Sequence, residues 1–229
     1  MKTIGLIGGT SFESTVTYYQ VINETVNQVL GEHNTAKCIL YSVNFQDIER
    51  NVATNQWDKI SAILVDAAVT LEKAGADFLM VCSNTLHKLV PEIAKNIGIP
   101  ILHIAEATAE ALIKEGVQKV GLLGTKPTMT HDFYKQTLLE RGIDVIIPTE
   151  EDIELVNTVI FDELCHGIIN PESKNEYLRI IDYLHQQGAQ GVVLGCTEID
   201  LLVQQSDTSV PLFDTTLIHA NVAALKAVP

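Results

Sequence analysis

Positive charge is scarce in this chain. Only three arginines occur in 229 residues (Arg50, Arg141, Arg179), and 29 acidic side chains face 15 basic ones, a net charge of −14. Nucleic acid needs a basic face, so this charge argues against it as a partner. An anionic ligand would be held by backbone N–H groups, hydroxyls and amides, because no arginine lies beside the motifs described below. Cysteine is equally sparse: Cys38, Cys82, Cys165 and Cys196 lack CxxC spacing. Such a pattern predicts free thiols in a reducing cytoplasm, not a disulfide framework or a zinc site. No apolar run reaches the length of a membrane helix, and "MKTIGLIGG" meets glycines before any signal-peptide core forms. There is no Walker loop and no G-x-G-x-x-G, no lysine in a pyridoxal-phosphate context, and no histidine spacing suited to a metal. The expectation is therefore no cofactor, no metal and no membrane partner.

What is present is an alternation. Short β-branched runs ("TIGLI", "CILYSV", "DFLMV", "IPILHI", "KVGLLG", "DVIIP", "GVVLG", "VPLFD") are separated by segments of helical period. Such alternation predicts an α/β protein with parallel sheets flanked by helices. In the first helical segment Thr10 and Glu13 have capping-box spacing, and Val16, Tyr19, Ile22, Val26 and Val29 suggest the apolar face. "PTEEDIE" (148–154) reads as a solvated acidic turn opening a helix.

The chain also repeats itself. "IGLIGGT" from Ile4 matches "VGLLGTK" from Val120; "LEKAGADFLMVCSNT" from Leu71 matches "LHQQGAQGVVLGCTE" from Leu184; "IPILHIAEAT" from Ile99 matches "VPLFDTTLIH" from Val210. The offsets are 116 (120 − 4), 113 (184 − 71) and 111 (210 − 99), in the same order. Three ordered matches predict two related α/β lobes, pseudo-symmetric, with a site in the cleft between them. In this register Cys82 falls on Gly195 and Ser83 on Cys196. Strand alternation then turns Cys82 toward the packing and Ser83 the other way.

Ligands of parallel α/β sheets sit beyond the carboxyl ends of the strands. "CSNT" and "GCTE" both end a strand and open a helix. Ser83 and Cys196 are thus the candidate catalytic pair. Thr10 and Thr125, each after a Gly-rich strand end, would supply hydroxyls and backbone donors for a carboxylate. A helix N-terminus there is expected to lower the pKa of the Cys196 thiol toward the range of a general base. Cys38 and Cys165 read as inert, and His87 and His103 as surface or core hydrogen-bonders.

"CSNTLH", "GCTEI" and "IGLIGGTSFEST", with "LLGTKPTM" and "FDTTLIHA", resemble the aspartate/glutamate racemases, the pyridoxal-phosphate-independent amino-acid racemases. The resemblance runs over essentially the whole chain. It implies two α/β domains, a cytoplasmic homodimer, a small acidic amino acid as substrate, and two residues flanking its Cα. One removes the α-proton and the other reprotonates the opposite face. The family's first motif reads Cys-Asn-Thr, so its first cysteine falls on Ser83. Asn84, Thr85 and Thr197 fall on substrate-binding positions, and Glu198 is grouped with them. Serine at the first position resembles the L-aspartate/glutamate-specific branch, which implies that the L form presents its α-proton to Cys196. Many aspartate racemases carry a basic residue near the position of His166. The family also implies that the "IP" and "VP" blocks exchange lobes, giving residues 1–100 plus 208–229 as the first lobe and 101–207 as the second. Two other activities fit the same residues: a single-cysteine decarboxylase or lyase, and a non-catalytic dicarboxylate-binding protein.

Overall fold

The computed structural model describes residues 1–229. It contains two four-stranded, all-parallel sheets. The first is built from β1 (Ile4–Gly8), β2 (Cys38–Ser42), β3 (Phe78–Val81) and β4 (Ile101–Leu102), in the order β2-β1-β3-β4. The second uses β5 (Lys119–Gly124), β6 (Asp144–Ile146), β7 (Val192–Gly195) and β8 (Leu212–Asp214), in the order β6-β5-β7-β8. Adding four to each strand number turns one order into the other.

The registers repeat as well. Ile7 pairs with Val81, and Leu123 pairs with Leu194. These pairs are related by the sequence offsets 116 (123 − 7) and 113 (194 − 81). Met80 pairs with Leu102 and Val193 with Phe213, which reproduces 113 and 111 (213 − 102). The internal repeat is therefore a repeat of sheet register. Ser83 and Cys196 each lie two residues beyond the equivalent partners Val81 and Leu194.

The chain divides into two compact units: residues 1–104 with 219–229, and residues 105–218. This corrects the sequence-based boundaries. Neither proline-led strand changes lobe, since β4 pairs with β3 and β8 with β7. The helices that follow them change unit instead. Helix Ile104–Lys114 opens the second unit, and most of helix Thr215–Ala227 returns to the first. There Ala220, Ala223, Ala224 and Ala227 pack on Ile4, Leu6, Tyr18, Phe78 and Cys82. Alanines on that face allow the helix to lie close to the strands, which a face of larger side chains would prevent.

The first unit has two apolar layers. On one face the alanine helix and the Tyr18, Ile22 and Val26 side chains of helix Phe12–Leu30 cover Ile4, Leu6 and Met80. On the other face helix Trp57–Lys73 buries Ile60, Leu64, Ala67, Ala68 and Leu71 against Ile7, Leu79 and Val81. In the second unit Val156, Ile160, Tyr177, Ile180, Ile181 and Leu184 cover Leu123, Val192 and Leu194.

Two local expectations do not hold. The first helix begins at Phe12 with Ser11 as N-cap and no side-chain capping bond, so Thr10 and Glu13 form no capping box. Its buried stripe is Ser14, Thr15, Tyr18, Ile22 and Val26, while Val16, Tyr19 and Val29 are exposed. Small hydroxyl residues take the inner face because the helix start lies close against the strand: a Cβ on Gly8 would meet Thr15 Cγ2 at 2.5 Å. The acidic segment 148–154 does open a helix, Glu150–Asp162, with Thr149 accepting from Asp152 N–H. Asp152, however, is buried and ion-paired with Arg179 instead of solvated. No helix is long and apolar enough to cross a membrane.

Candidate active site

In the first unit the site residues follow β1 and β3. β1 runs into Gly9, whose φ of +91° and lack of room (a Cβ would lie 2.3 Å from Val43 O) admit only glycine. Gly9 N–H donates to Thr15 Oγ1 at 2.8 Å, and Thr15 Oγ1 donates to Ser11 O at 2.9 Å. This turn brings Thr10 Oγ1 to 3.5 Å from the carbonyl of Cys82, so the two strand ends meet. Beyond β3, Cys82 N–H donates to Ile7 O, and the Cys82 side chain is fully buried in the apolar layer with Tyr18 and Ala220. Burial raises its pKa, so it is an inert thiol. Ser83 is partly exposed, Asn84 is buried, and Thr85 is partly exposed.

His87 lies two residues after Thr85 and is buried, with Nδ1 2.6 Å from the carbonyl of Ser83. His103 and His219 are its ring neighbours, with centroids 4.7 and 5.7 Å away. His87 is thus a core hydrogen-bonder, as its sequence context suggests.

In the second unit, Gly124 and Gly195 face each other across β5 and β7. A Cβ on Gly124 would stand 2.7 Å from Gly195 O, and one on Gly195 would stand 2.7 Å from Leu123 O. The two backbones touch, and the strand ends carry Thr125 and Cys196 away from that contact. Thr125 N-caps the short helix Lys126–Thr130, with its hydroxyl 3.1 Å from Thr128 Oγ1.

Cys196, Thr197 and Glu198 are all buried, and they form one hydrogen-bonded group. Cys196 Sγ–H donates to Glu198 Oε2 at 3.1 Å, and Thr197 Oγ1–H donates to the same oxygen at 2.7 Å. Burial first, and then the neighbouring Glu198 carboxylate, push the thiol's pKa well above its ordinary value. This reverses the expected helix-terminus effect. The helix that follows, Ile199–Leu202, has four residues and begins three residues after the sulfur's own. So short a helix offers little dipole against an adjacent carboxylate. Cys196 therefore rests as a thiol hydrogen-bonded to Glu198. Glu198, read from sequence as a substrate-binding residue, commits Oε2 to Cys196 and Thr197.

A second acid was missed. Asp200 is held up to about 7 by burial, Asp214 and Glu198. It lines a cavity of about 300 Å³ with Leu194, Gln204, Gln205, Leu212 and Asp214. The run "GCTEID" carried the signal, since two acids follow the cysteine at a buried strand end. His166 is exposed. No three His, Cys, Asp or Glu side chains converge on a metal-sized point.

Residues 7–223 match the Asp/Glu/hydantoin racemase family. A broad-specificity amino-acid racemase of Bacillus subtilis is 28% identical over 167 residues, 72% of this chain and 70% of that one. The crystal structure of a candidate Asp/Glu racemase from Yersinia pestis shares 49% identity over 100% of both chains, with a TM-score of 0.93. An aspartate racemase homologue from Pyrococcus horikoshii OT3 shares 39% identity over 99% of both, with a TM-score of 0.86.

Proposed function

Since the chain belongs to the Asp/Glu/hydantoin racemase family, we propose that it racemises an acidic amino acid, aspartate or glutamate, without a cofactor. In this reading Cys196 is the main acid/base and Ser83 acts on the opposite face of the α-carbon. The observation that carries it is positional. Ser83 and Cys196 occupy equivalent places in two sheets of one register, and each ends a strand where parallel α/β proteins bind ligands. Relatives support the substrate class. The Pyrococcus horikoshii protein is an aspartate racemase homologue, and a 27% identical protein of Aquifex pyrophilus, 56% of whose length is covered, is a glutamate racemase.

The proton steps balance as follows. The Cys196 thiol passes its proton to Glu198 Oε2, 3.1 Å away. The thiolate takes the α-proton of the L enantiomer and is a thiol again. The carbanion, delocalised into its carboxyl group, takes a proton from Ser83 Oγ–H on the other face. Solvent carries the Glu198 proton back to the Ser83 oxygen. Glu198 is needed because burial leaves the thiol a weak acid. Thr10, Asn84, Thr85, Thr125 and Thr197 form the polar surround for the substrate's α-carboxylate and ammonium group.

A thiol that rests protonated also suits a decarboxylase, which needs only a proton donor to an enolate. Incubating the protein with L-aspartate, L-glutamate and a substituted malonate in D₂O separates the readings. Racemisation yields the D amino acid deuterated at Cα. Decarboxylation yields a product one carboxyl group shorter, and a binding protein yields neither. Pairing with a second copy belongs to the proposal. Phe12, Val16 and Tyr19 are exposed at i, i+4 and i+7 on one uncharged helix face. Light scattering that gives the mass of one 25.1 kDa chain would remove that element.

A further inference from the structure

We propose that His87 is a positioning residue for this reaction, clamping the backbone of Ser83 so that its hydroxyl reaches the α-carbon in register. The proposal rests on the reading of Ser83 given above. His87 sits on the turn Thr85–Leu89 with both ring nitrogens on backbone groups: Nδ1 is 2.6 Å from Ser83 O, and Nε2 is 3.1 Å from Ile104 N. A backbone N–H can only donate, so Nε2 carries the lone pair. The proton is therefore on Nδ1 and is donated to the Ser83 carbonyl. Burial, with His103 and His219 alongside, keeps the ring neutral, as this tautomer requires.

The second histidine continues the clamp. His219 Nε2–H donates to Leu102 O at 2.9 Å, and its Nδ1 accepts from Tyr18 O–H at 3.0 Å. Leu102 ends β4, Ile104 is the last residue before the chain leaves the first unit, and His219 is the first after it returns. The Ser83 carbonyl is thus fixed against the segment where the chain crosses between units. An apolar side chain of similar volume would fill the space of His87. It would also withdraw a partner from Ser83 C=O and from Ile104 N–H, which is the difference between packing and positioning. Serine is a weak acid, so its proton transfer depends on placement, and a misplacement of about 1 Å costs roughly 10²-fold.

Two substitutions divide the clamp. In His87→Asn the side-chain N–H can reach the carbonyl four residues back, as Asn23 does to Tyr19 O at 2.7 Å. In His87→Gln the longer amide offers its oxygen to Ile104 N–H and leaves Ser83 free. The readout is turnover of L-aspartate and L-glutamate in D₂O, split into deuterium in inverted product and deuterium in recovered substrate of retained configuration. Retained exchange is served by Cys196 alone.

His87→Gln should lower inversion roughly 10- to 100-fold while retained exchange stays within about twofold, and His87→Asn should recover most of the inversion. Equal loss in both channels, in step with loss of folded protein, would overturn the proposal, as would the opposite order of the two variants. A Ser83→Ala arm separates the two layers. If that variant inverts substrate normally, the reading of Ser83 fails and the clamp with it. If it loses inversion while His87→Gln does not, only the clamp fails. Should neither His87 variant fold, ¹⁵N imidazole spectra of the unaltered protein decide. A neutral Nδ1–H tautomer whose resonance moves on adding substrate supports the clamp; an unmoved resonance or the Nε2–H tautomer overturns it.

Discussion

Replacing Glu198 by Gln keeps the size of the side chain and removes its charge and its ability to take a proton. The carboxylate oxygen lies 3.1 Å from Cys196 Sγ and 2.7 Å from Thr197 Oγ1, so it is the first base the thiol proton meets. A positioned base contributes about 10²–10⁴ in rate, equivalent to about 3–5 kcal/mol of barrier. Exchange of the α-proton with D₂O should therefore fall by that factor. The pH dependence should change as well. The unaltered protein moves the proton internally, so its exchange rate should be flat across pH 8–9, above the titration of the neighbouring Asp200. In the variant, solvent must deprotonate the thiol, and exchange should rise about tenfold per pH unit. Glu198 also raises the thiol's pKa, so the variant's rise should level off at a lower pH than that of a thiol still facing a carboxylate. Mass spectrometry of the recovered amino acid measures both effects. A Gln variant with an unchanged rate and a flat profile would refute the role of Glu198.

Cys82→Ala should leave exchange and inversion intact and lower stability by roughly 1 kcal/mol through lost packing, seen as a melting shift of about 2–4 °C; loss of turnover would move the reactive thiol to Cys82. Gly124→Ala sets a methyl 2.7 Å from Gly195 O, next to Cys196. It should cost about 1–3 kcal/mol and reduce exchange more than the melting shift accounts for, which kinetics on the folded fraction would test. His219 is buried, and its pKa is lowered to about 4 from 6.5, chiefly by burial. Above pH 6.5 both folded and unfolded forms are neutral at this site and its contribution is fully present. Between 6.5 and about 4 only the unfolded chain takes the proton, so stability falls with pH by about 3 kcal/mol in total. Urea midpoints measured over pH 4–7 should show this fall, and His219→Asn should make the slope shallower; an equal slope would exclude His219 as a source.

The sheets were legible in the sequence because β-branched runs between helical segments are a local signal, and because the repeat carried the register. The offsets 116, 113 and 111 reappear as strand pairings. The unit boundaries were misread because adjacency of β4 to β3 and of β8 to β7 is a long-range fact with no local signature. The first helix was misread for a related reason: its inner face uses Ser14 and Thr15, which hydropathy places outside. At the site, the burial of Cys82 and the partial exposure of Ser83 followed from strand alternation. The protonation state of Cys196 did not, because it depends on a carboxylate two residues away folding back onto the sulfur in a buried place. His87 was legible as a core histidine, but its hold on Ser83 O and Ile104 N required the turn itself.

The proposed reaction inverts the α-carbon of an acidic amino acid with Cys196 as its principal acid/base. Chiral analysis of L-aspartate and L-glutamate incubated with the pure, dialysed protein in D₂O tests it most directly. The expected result is a D enantiomer carrying deuterium at Cα, no decarboxylated product, and loss of all incorporation in Cys196→Ala. Absence of the D form from both substrates, or undiminished incorporation in the Cys196→Ala protein, would contradict it.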